Sequence, residues 1–515
     1  MKKVNQLKAG VLLSYINLAI GSIIPMIYTP IILRMLGQAE YGLYSLSHSI
    51  TGYLTLLNFG LGGTMIRYIA KYRASKEKEK EKEIIGLFFV FYCILAVVVA
   101  IVGVVLAENA SPFFGGALSA DEVSRLRILI YIMTLTTVIT FLSSVFSSAI
   151  LAHERYIFER SVNIIVTIGA PTLHLVVLFM GFGTVGMAMC GIGMTSLCFP
   201  IYVWYTAKRL GLRPRFVRVE KSLVWEVLGF SFFVFVGSIV DMLFWATDKV
   251  ILGALIGTVA VAVYNIGGTF NTIVSQLSQT ISGVLTPKIT GMVVLKNDKQ
   301  ELSDLFIKVA RLQFIVVALA VSGFVAFGRP FLNLWAGEEY EGAYMIALLT
   351  LLPLVIPLTQ NSALSIVIAQ NKHRFRALVY LAIAVLNVIS TWLIVPYMGG
   401  TGAALCSCVS YLLGQGLVMN IYYHKVTGLD IPRYWREMAK LCIIPALLCT
   451  VTLFIGRYID FYRPAIFLSG VAVYTVIYGV LMYAFAINDY EKTTLLKPIK
   501  SLWSKIHKKA EETTL

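Results

Sequence analysis

The sequence predicts an all-α, polytopic membrane protein of about fourteen transmembrane helices, twelve of them in a parallel repeat of two six-span blocks and two following it. Three observations lead there: hydropathy, the sidedness of the basic residues, and internal self-similarity. The 515 residues are 58% hydrophobic and only 14% charged, with a mean hydropathy of +0.79. Soluble domains average about 45–50% apolar and about 25% charged, so a chain of three or four soluble domains is excluded. Apolar runs of 18 residues or more recur along the whole chain, each long enough to cross a hydrocarbon core of about 30 Å. A transmembrane β-barrel would show alternating segments of roughly ten residues instead.

In order, the expected spans are approximately 9–36, 41–66, 84–107, 126–152, 162–181, 185–207, 225–256, 258–287, 305–327, 343–369, 376–396, 401–424, 438–457 and 464–487. Lys2, Lys3 and Lys8 precede the first and resemble a signal-peptide n-region. The apolar stretch from Ala9 to Leu36 is too long for an h-region and shows no small-residue cleavage site, so it reads as an uncleaved span. No segment between spans exceeds about twenty residues, too few for a nucleotide-binding domain, whose βαβ units alone take about thirty.

An even number of spans puts both termini on one side. That side then carries 35 of the 43 Lys and Arg, the other carries Arg34, Arg125, Arg127, Lys249, Arg329, Arg457 and Arg463, and Arg311 lies inside the ninth span. The positive-inside rule makes the terminal side cytoplasmic. The net charge of +16, which alone would suit nucleic acid or an anionic surface, is therefore mainly a topology signal, and no nucleic-acid partner is expected. Several local features carry no chemistry. No G-x-x-x-x-G-K-[ST] run occurs, and Gly181, Gly183 and Gly186 match a dinucleotide fingerprint only in a tight turn without βαβ context. Lys76–Glu83 alternates charges as a solvated loop does. The seven cysteines lie in apolar segments without metal-ligand spacing and read as packing residues. No metal or cofactor is expected. After the last span, Leu495, Leu496, Ile499, Leu502, Trp503 and Ile506 recur at helical spacing among lysines, which fits an amphipathic helix on the inner leaflet, with a disordered basic tail as the alternative.

Self-similarity organises the spans. At an offset of 220, Ile31, Gly37 and Tyr44 meet Ile251, Gly257 and Tyr264; at 216, Gly183, Gly186, Ala188 and Cys190 meet Gly399, Gly402, Ala404 and Cys406. Together the two alignments match both ends of two six-span blocks. Six is even, so the blocks share one orientation, a parallel repeat of the kind found in alternating-access transporters. The expected organisation is an N-terminal bundle over 1–221, a C-terminal bundle over 222–424, two additional helices over 425–487 and a cytoplasmic tail over 488–515.

The stretch 30–74, with Leu36, Gly37, Tyr41, Gly42 and Tyr44 in an LG-x-x-x-YG-x-Y pattern, resembles the start of polysaccharide and oligosaccharide flippases. These belong to the multidrug/oligosaccharidyl-lipid/polysaccharide exporter superfamily. Segments 248–264 and 394–404 resemble the same family, and the likeness spans essentially the whole chain. It implies two six-helix bundles around a central cavity, alternately open inward and outward. It also implies an undecaprenyl-diphosphate-linked glycan as substrate, flipped from the inner to the outer leaflet. Lipid II flippases of the superfamily are similar in span count but carry cavity arginines from spans one, two and eight. Here span one has no basic residue between Lys8 and Arg34, and span eight has none before Lys288. Only Arg67, at the inner end of span two, stands in. Drug exporters of the superfamily usually have twelve spans.

Ionisable side chains at mid-bilayer cost about 2.5–3.5 kcal/mol on insertion scales and ask for a reason. Span seven holds the most: Asp241, Asp248 and Lys249. Asp241, Trp245 and Asp248 fall at i, i+4 and i+7 on one helix face. If that face lines a cavity, Asp241 and Asp248 serve ion coupling and Trp245 is a platform for sugar rings. Otherwise Asp248 or Lys249 reaches the outer interface and Asp241 bonds a neighbouring helix. Arg67 suits diphosphate capture through its fork of donors, or simply follows the inner positive charge. Arg34 has the same choice at the outer mouth, against interface snorkelling. Asn58 lies among Gly60, Gly62 and Gly63, where a polar side chain packs helices or touches substrate. His48 and His174 suit cross-helix hydrogen bonds or a proton relay. Arg311 is expected to snorkel to the inner interface.

Two functional classes follow. A transporter of lipid-linked oligosaccharide, driven by an ion gradient or the membrane potential, fits the repeat and the absence of soluble domains. A membrane enzyme such as a polymerase or acyltransferase needs acid/base or metal-binding residues gathered at one face. The longest outer loop, about 108–125, offers only Glu108, Asp121 and Glu122, so no enzymatic activity is expected. The transporter reading places the protein in a bacterial cell membrane, in contact with the bilayer, its lipid-linked glycan, and a polysaccharide polymerase or glycosyltransferases.

Overall fold

The computed structural model describes residues 6–216, 246–295, 299–370, 372–488 and 491–492, with isolated positions between 221 and 243. Nearly all of these are helical, and there is no strand among the described residues. Ten helical segments among them are long and apolar enough to cross a membrane.

The helices are α1 (Gln6–Leu56), α2 (Leu61–Ala74), α3 (Lys78–Glu108), the short α4 (Ala110–Phe114), α5 (Ala120–Ala152), α6 (Tyr156–Phe179) and α7 (Gly183–Trp204). They continue with α8 (Thr247–Leu255), α9 (Thr258–Leu295), α10 (Lys299–Trp335), α11 (Gly342–Thr359), α12 (Asn361–Ala369), α13 (His373–Tyr411), α14 (Ile431–Ile455) and α15 (Pro464–Leu481). Two starts carry side-chain caps. Ser119 and Glu122 form a reciprocal capping box at α5, and Asp430 accepts from the Arg433 amide at α14.

Two helices are too long for one pass. Leu13–Ala74 and Phe375–Thr427 are 62 and 53 residues, roughly two to three bilayer thicknesses at 1.5 Å per residue. The first segment turns at Phe59 and Gly60, and within α1 and α13 helical geometry breaks at one glycine each, Gly37 (φ 74°, ψ 173°) and Gly399 (φ 55°, ψ −140°). These conformations are essentially closed to residues with a Cβ. Their repeat mates behave alike, since Gly257 and Gly183 have φ of 124° and 59°. Four of the six glycines that align in the two halves are therefore backbone corners between consecutive spans, which is why the repeat is readable there. Gly42 permits a second close approach: a Cβ on it would stand 1.9 Å from the Thr258 carbonyl oxygen at the start of α9.

The chain divides into two compact units. One comprises Met1–Ile266 with Tyr380–Ser407, the other Gly267–Val379 with Cys408–Leu515. The core of the first is built by Leu54, Leu61, Met65, Ile69, Phe88, Tyr92, Phe141 and Val145. In the second, Val274, Val317, Val321, Leu351, Leu354 and Leu358 pack together. The outward faces are apolar as well. On α3, Phe88, Tyr92, Val99 and Ala107 are buried while Ile94, Val97, Ile101 and Val105 are each more than half exposed. A stripe of that kind along a 31-residue helix would be an aggregation liability in water and is ordinary against lipid.

Within the second unit, Arg311 departs from expectation. Instead of snorkelling it is 7% exposed. Its Nε donates to Glu491 Oε1 at 2.5 Å, its Nη1 to Glu437 Oε2 at 2.5 Å, and its Nη2 to the Ala486 carbonyl at 2.8 Å. Two carboxylates, Glu437 of α14 and Glu491 after α15, thus hold it inside, because a guanidinium with acceptors on every edge needs no water. The expected amphipathic tail lies outside the described residues from 493 onward.

Candidate functional site

The most concentrated polar chemistry of the first unit lies where α8 begins. The helix starts at Thr247 after a turn at Ala246, and Asp248 stands in its first turn, where free backbone amides favour a carboxylate. Asp248 is 1% exposed. Its Oδ2 accepts from the Tyr264 phenol of α9 and from Ser407 Oγ at 2.9 Å, and its Oδ1 from Thr391 Oγ1 at 3.4 Å. Asn387, itself fully buried, donates to Ser407 Oγ at 3.4 Å. Three elements, α8, α9 and α13, therefore meet on one carboxylate.

Lys249 turns to neutral partners. Its Nζ donates to Asn265 Oδ1 at 2.8 Å, and Asn265 Nδ2 donates to the Tyr41 hydroxyl at 2.8 Å. Beside it, the Tyr53 and Thr247 hydroxyls share a hydrogen at 2.5 Å. Among the described residues Asp248 forms no ion pair, and its negative charge is carried by hydroxyl donors instead. Each hydroxyl has lone pairs as well as a hydrogen. The same groups that solvate the carboxylate can turn oxygen toward a cation, or accept the rearrangement that protonation of Asp248 would require.

The first half has a counterpart. At the repeat offset of 220, Asp248 corresponds to Tyr28. The Tyr28 hydroxyl lies 2.6 Å from His174 Nδ1 on α6. His174 and Thr391 are within one residue of equivalence at the offset of 216. Both halves thus join their first and fifth repeat spans by a polar pair, one with a phenol and imidazole, the other with a carboxylate and hydroxyl. His48 packs edge-on against Tyr44 at 4.6 Å between ring centroids.

The remaining site residues read from sequence are dispersed. Asn58 sits in the turn between α1 and α2, where Phe59 and Gly60 both have positive φ, and its Oδ1 accepts from the Tyr92 hydroxyl at 2.7 Å. Arg67 is exposed on α2, and Arg34 is exposed on α1 three residues before the Gly37 corner. Both stand on helices other than the three that carry the Asp248 cluster. Asp241 and Trp245 lie outside the described residues, so the expected common face with Asp248 has one described member. The partners Tyr264, Thr391, Ser407 and Asn265 were not anticipated. Tyr264 alone carried a signal, as the repeat mate of Tyr44.

Comparison with known proteins adds the lineage. Residues 7–293 match the family model described as polysaccharide biosynthesis protein. A relative from Bacillus subtilis (strain 168), described as uncharacterized membrane protein EpsK, is 21% identical over 494 residues, covering 91% of this chain and 93% of that protein. Among solved structures, the lipid II flippase MurJ in an inward closed conformation superposes with a TM-score of 0.70 at 13% identity, over 92% of this chain and 98% of that one. An inward-facing multidrug resistance MATE family transporter of the MOP superfamily gives 0.61 at 14% identity, over 84% and 98%. These structural likenesses establish the shared fold, and the match to more than half of the chain establishes the lineage: the protein is a multi-pass membrane protein of the polysaccharide biosynthesis protein family.

Proposed function

We propose that the protein flips an undecaprenyl-diphosphate-linked oligosaccharide from the inner to the outer leaflet for cell-surface polysaccharide synthesis. The observation that carries the reading is the family match over residues 7–293 on a chain folded like flippases and exporters. In this reading the bundles 1–221 and 222–424 rock about a central cavity, the glycan headgroup passes through it, and the polyprenyl tail stays in lipid through a lateral opening. Arg67 captures the diphosphate at the inner mouth, with Arg34 serving the outer one. Asn58 touches the substrate, and Trp245 stacks on a sugar. Asp248, with Asp241, exchanges the coupling ion, since a carboxylate ringed by hydroxyls is a site where a proton or hard cation can replace hydrogen-bond donors. Both termini lie in the cytoplasm of a bacterial cell, and a polymerase or glycosyltransferases work beside the transporter.

The lipid II flippase likeness supports a second substrate, a peptidoglycan precursor. Against it stands the lack of basic residues between Lys8 and Arg34 in span one and anywhere in span eight before Lys288. Purified protein in proteoliposomes decides between them. A fluorescent lipid-linked oligosaccharide added to one leaflet should become accessible to an impermeant quencher on the other, and Arg67→Gln should slow this about tenfold or more, as loss of a charge-assisted phosphate contact implies. Movement of lipid II alone would favour the second substrate, and movement of neither would end the reading.

A further inference from the structure

Basic residues on the outer side run against the positive-inside bias, so each of the seven there invites an explanation. Four have one. Arg125 pairs with Glu40 and Asp121, Arg127 with Glu108, and Arg463 with Asp460, while Lys249 donates to Asn265. Arg34, Arg329 and Arg457 have no acidic partner among the described residues. Two of these three line a single cavity of about 450 Å³ in the second unit.

The cavity is made by the last turns of α10, the first turn of α11, the end of α14 and the loop before α15. Its floor is rigid and aromatic. Phe461 is 9% exposed and packs edge-on against Phe327 at 5.1 Å, and Phe327 meets Tyr474 edge-on at 5.6 Å. One wall is the Tyr344 ring, held by a hydrogen bond from its hydroxyl to the Val325 carbonyl at 2.8 Å. The Arg329 guanidinium stands 5.2 Å from that ring's centre, which keeps it over the cavity mouth. Asp460 also lines the cavity, but its carboxylate is engaged by Arg463 at 3.3 Å. The result is a concave site with a fixed apolar base and two guanidinium groups that form no ion pair among the described residues, at the membrane-interface end of four helical regions.

Guanidinium forks match phosphate oxygens, and an aromatic floor beside them suits the first carbons of a lipid. We infer that this cavity is a binding site for the phosphate group of an anionic lipid in the outer leaflet, held by Arg329 and Arg457 with its carbon chain against Phe461. The ligand chemistry has two sources: a bulk phospholipid such as phosphatidylglycerol, or a polyprenyl phosphate. The site does not depend on which glycan is transported, and it is built partly from the two helices that lie outside the repeat.

Native mass spectrometry of the full chain in detergent tests this, with phosphatidylglycerol, phosphatidylethanolamine and undecaprenyl phosphate titrated separately. The wild type should retain one equivalent of an anionic lipid in preference to zwitterionic phosphatidylethanolamine. The double variant Arg329→Gln/Arg457→Gln should weaken that equivalent about tenfold or more. Both side chains are exposed and have no acidic partner among the described residues, so folding should hold, as an unchanged thermal midpoint would verify. Arg463→Gln, whose guanidinium is already spoken for, should leave the equivalent in place. Displacement of phosphatidylglycerol by a lower concentration of undecaprenyl phosphate would assign the site to the polyprenyl carrier, and the reverse would assign it to bulk lipid. Wild-type binding of all three lipids by the double variant, or no preference for anionic lipid in the wild type, would overturn the inference.

Discussion

Replacing Asp248 separates scaffolding from function. Its carboxylate accepts hydrogen bonds from Tyr264, Ser407 and Thr391 while 1% exposed. Asp248→Leu removes the acceptor for all three. Ser407 and Thr391 lie on a helix and can turn back to the carbonyl four residues earlier, as Ser49 and Thr51 already do on α1. The Tyr264 phenol has no such local recourse, and Lys249 loses the adjacent negative charge. With about 1.5–3 kcal/mol for a hydrogen bond to a charged group and partial recovery at two of the three donors, the net cost comes to about 2–4 kcal/mol. Asp248→Asn keeps an acceptor oxygen and almost the same volume, so its cost should stay near 1 kcal/mol or below. Thermal unfolding in detergent, followed by loss of soluble monomer, should rank wild type and Asn close together with Leu well beneath. Reconstituted Asp248→Asn should nevertheless lose gradient-driven transport. If Leu proved as stable as Asn, the three hydroxyls would not be organised by the carboxylate, and the account of this centre would fail.

Two further outcomes test the fold. Arg311→Met strands Glu491, which is fully buried, and should destabilise by about 3–5 kcal/mol, with Arg311→Met/Glu491→Gln recovering a substantial part; additive effects of the two single changes would refute the buried pairing. Gly37→Ala should cost about 1–3 kcal/mol through backbone strain alone, because nothing lies within 4 Å of the added methyl group. Gly21→Ala, equally uncrowded but helical, is the control and should be neutral or slightly stabilising; equal effects at both sites would contradict the corner geometry.

The apolar spans, the corner glycines and Asp248 itself were legible because each breaks a local pattern: a run of hydrophobicity, a matched offset, a charge in a greasy segment. The partners of Asp248 were not. Serine and threonine in membrane helices ordinarily bond their own backbone, as Ser49 and Thr51 do, so Thr391 and Ser407 carry no mark that distinguishes them. They also lie 143 and 159 residues away from Asp248. Arg311 was misread for the same reason. A cation one or two turns inside a span looks like a snorkeller until Glu437 and Glu491, 126 and 180 residues downstream, come to meet it. Arg67 and Arg34 were legible as charges only, since exposed residues on a helix take their meaning from what approaches them.

The counterpart positions Tyr28 and Asp248 bear on how the two halves divided their labour. Two copies of one backbone inherit the same corners and the same meeting point of their first and fifth spans. One copy filled that point with a phenol facing His174, the other with a carboxylate among hydroxyls. A molecule made of two copies of the second half would place two buried carboxylates where the natural chain has one, and a molecule made of two copies of the first would have none. The halves are therefore not interchangeable parts, and any attempt to build a symmetrised ancestor must decide which of the two to keep.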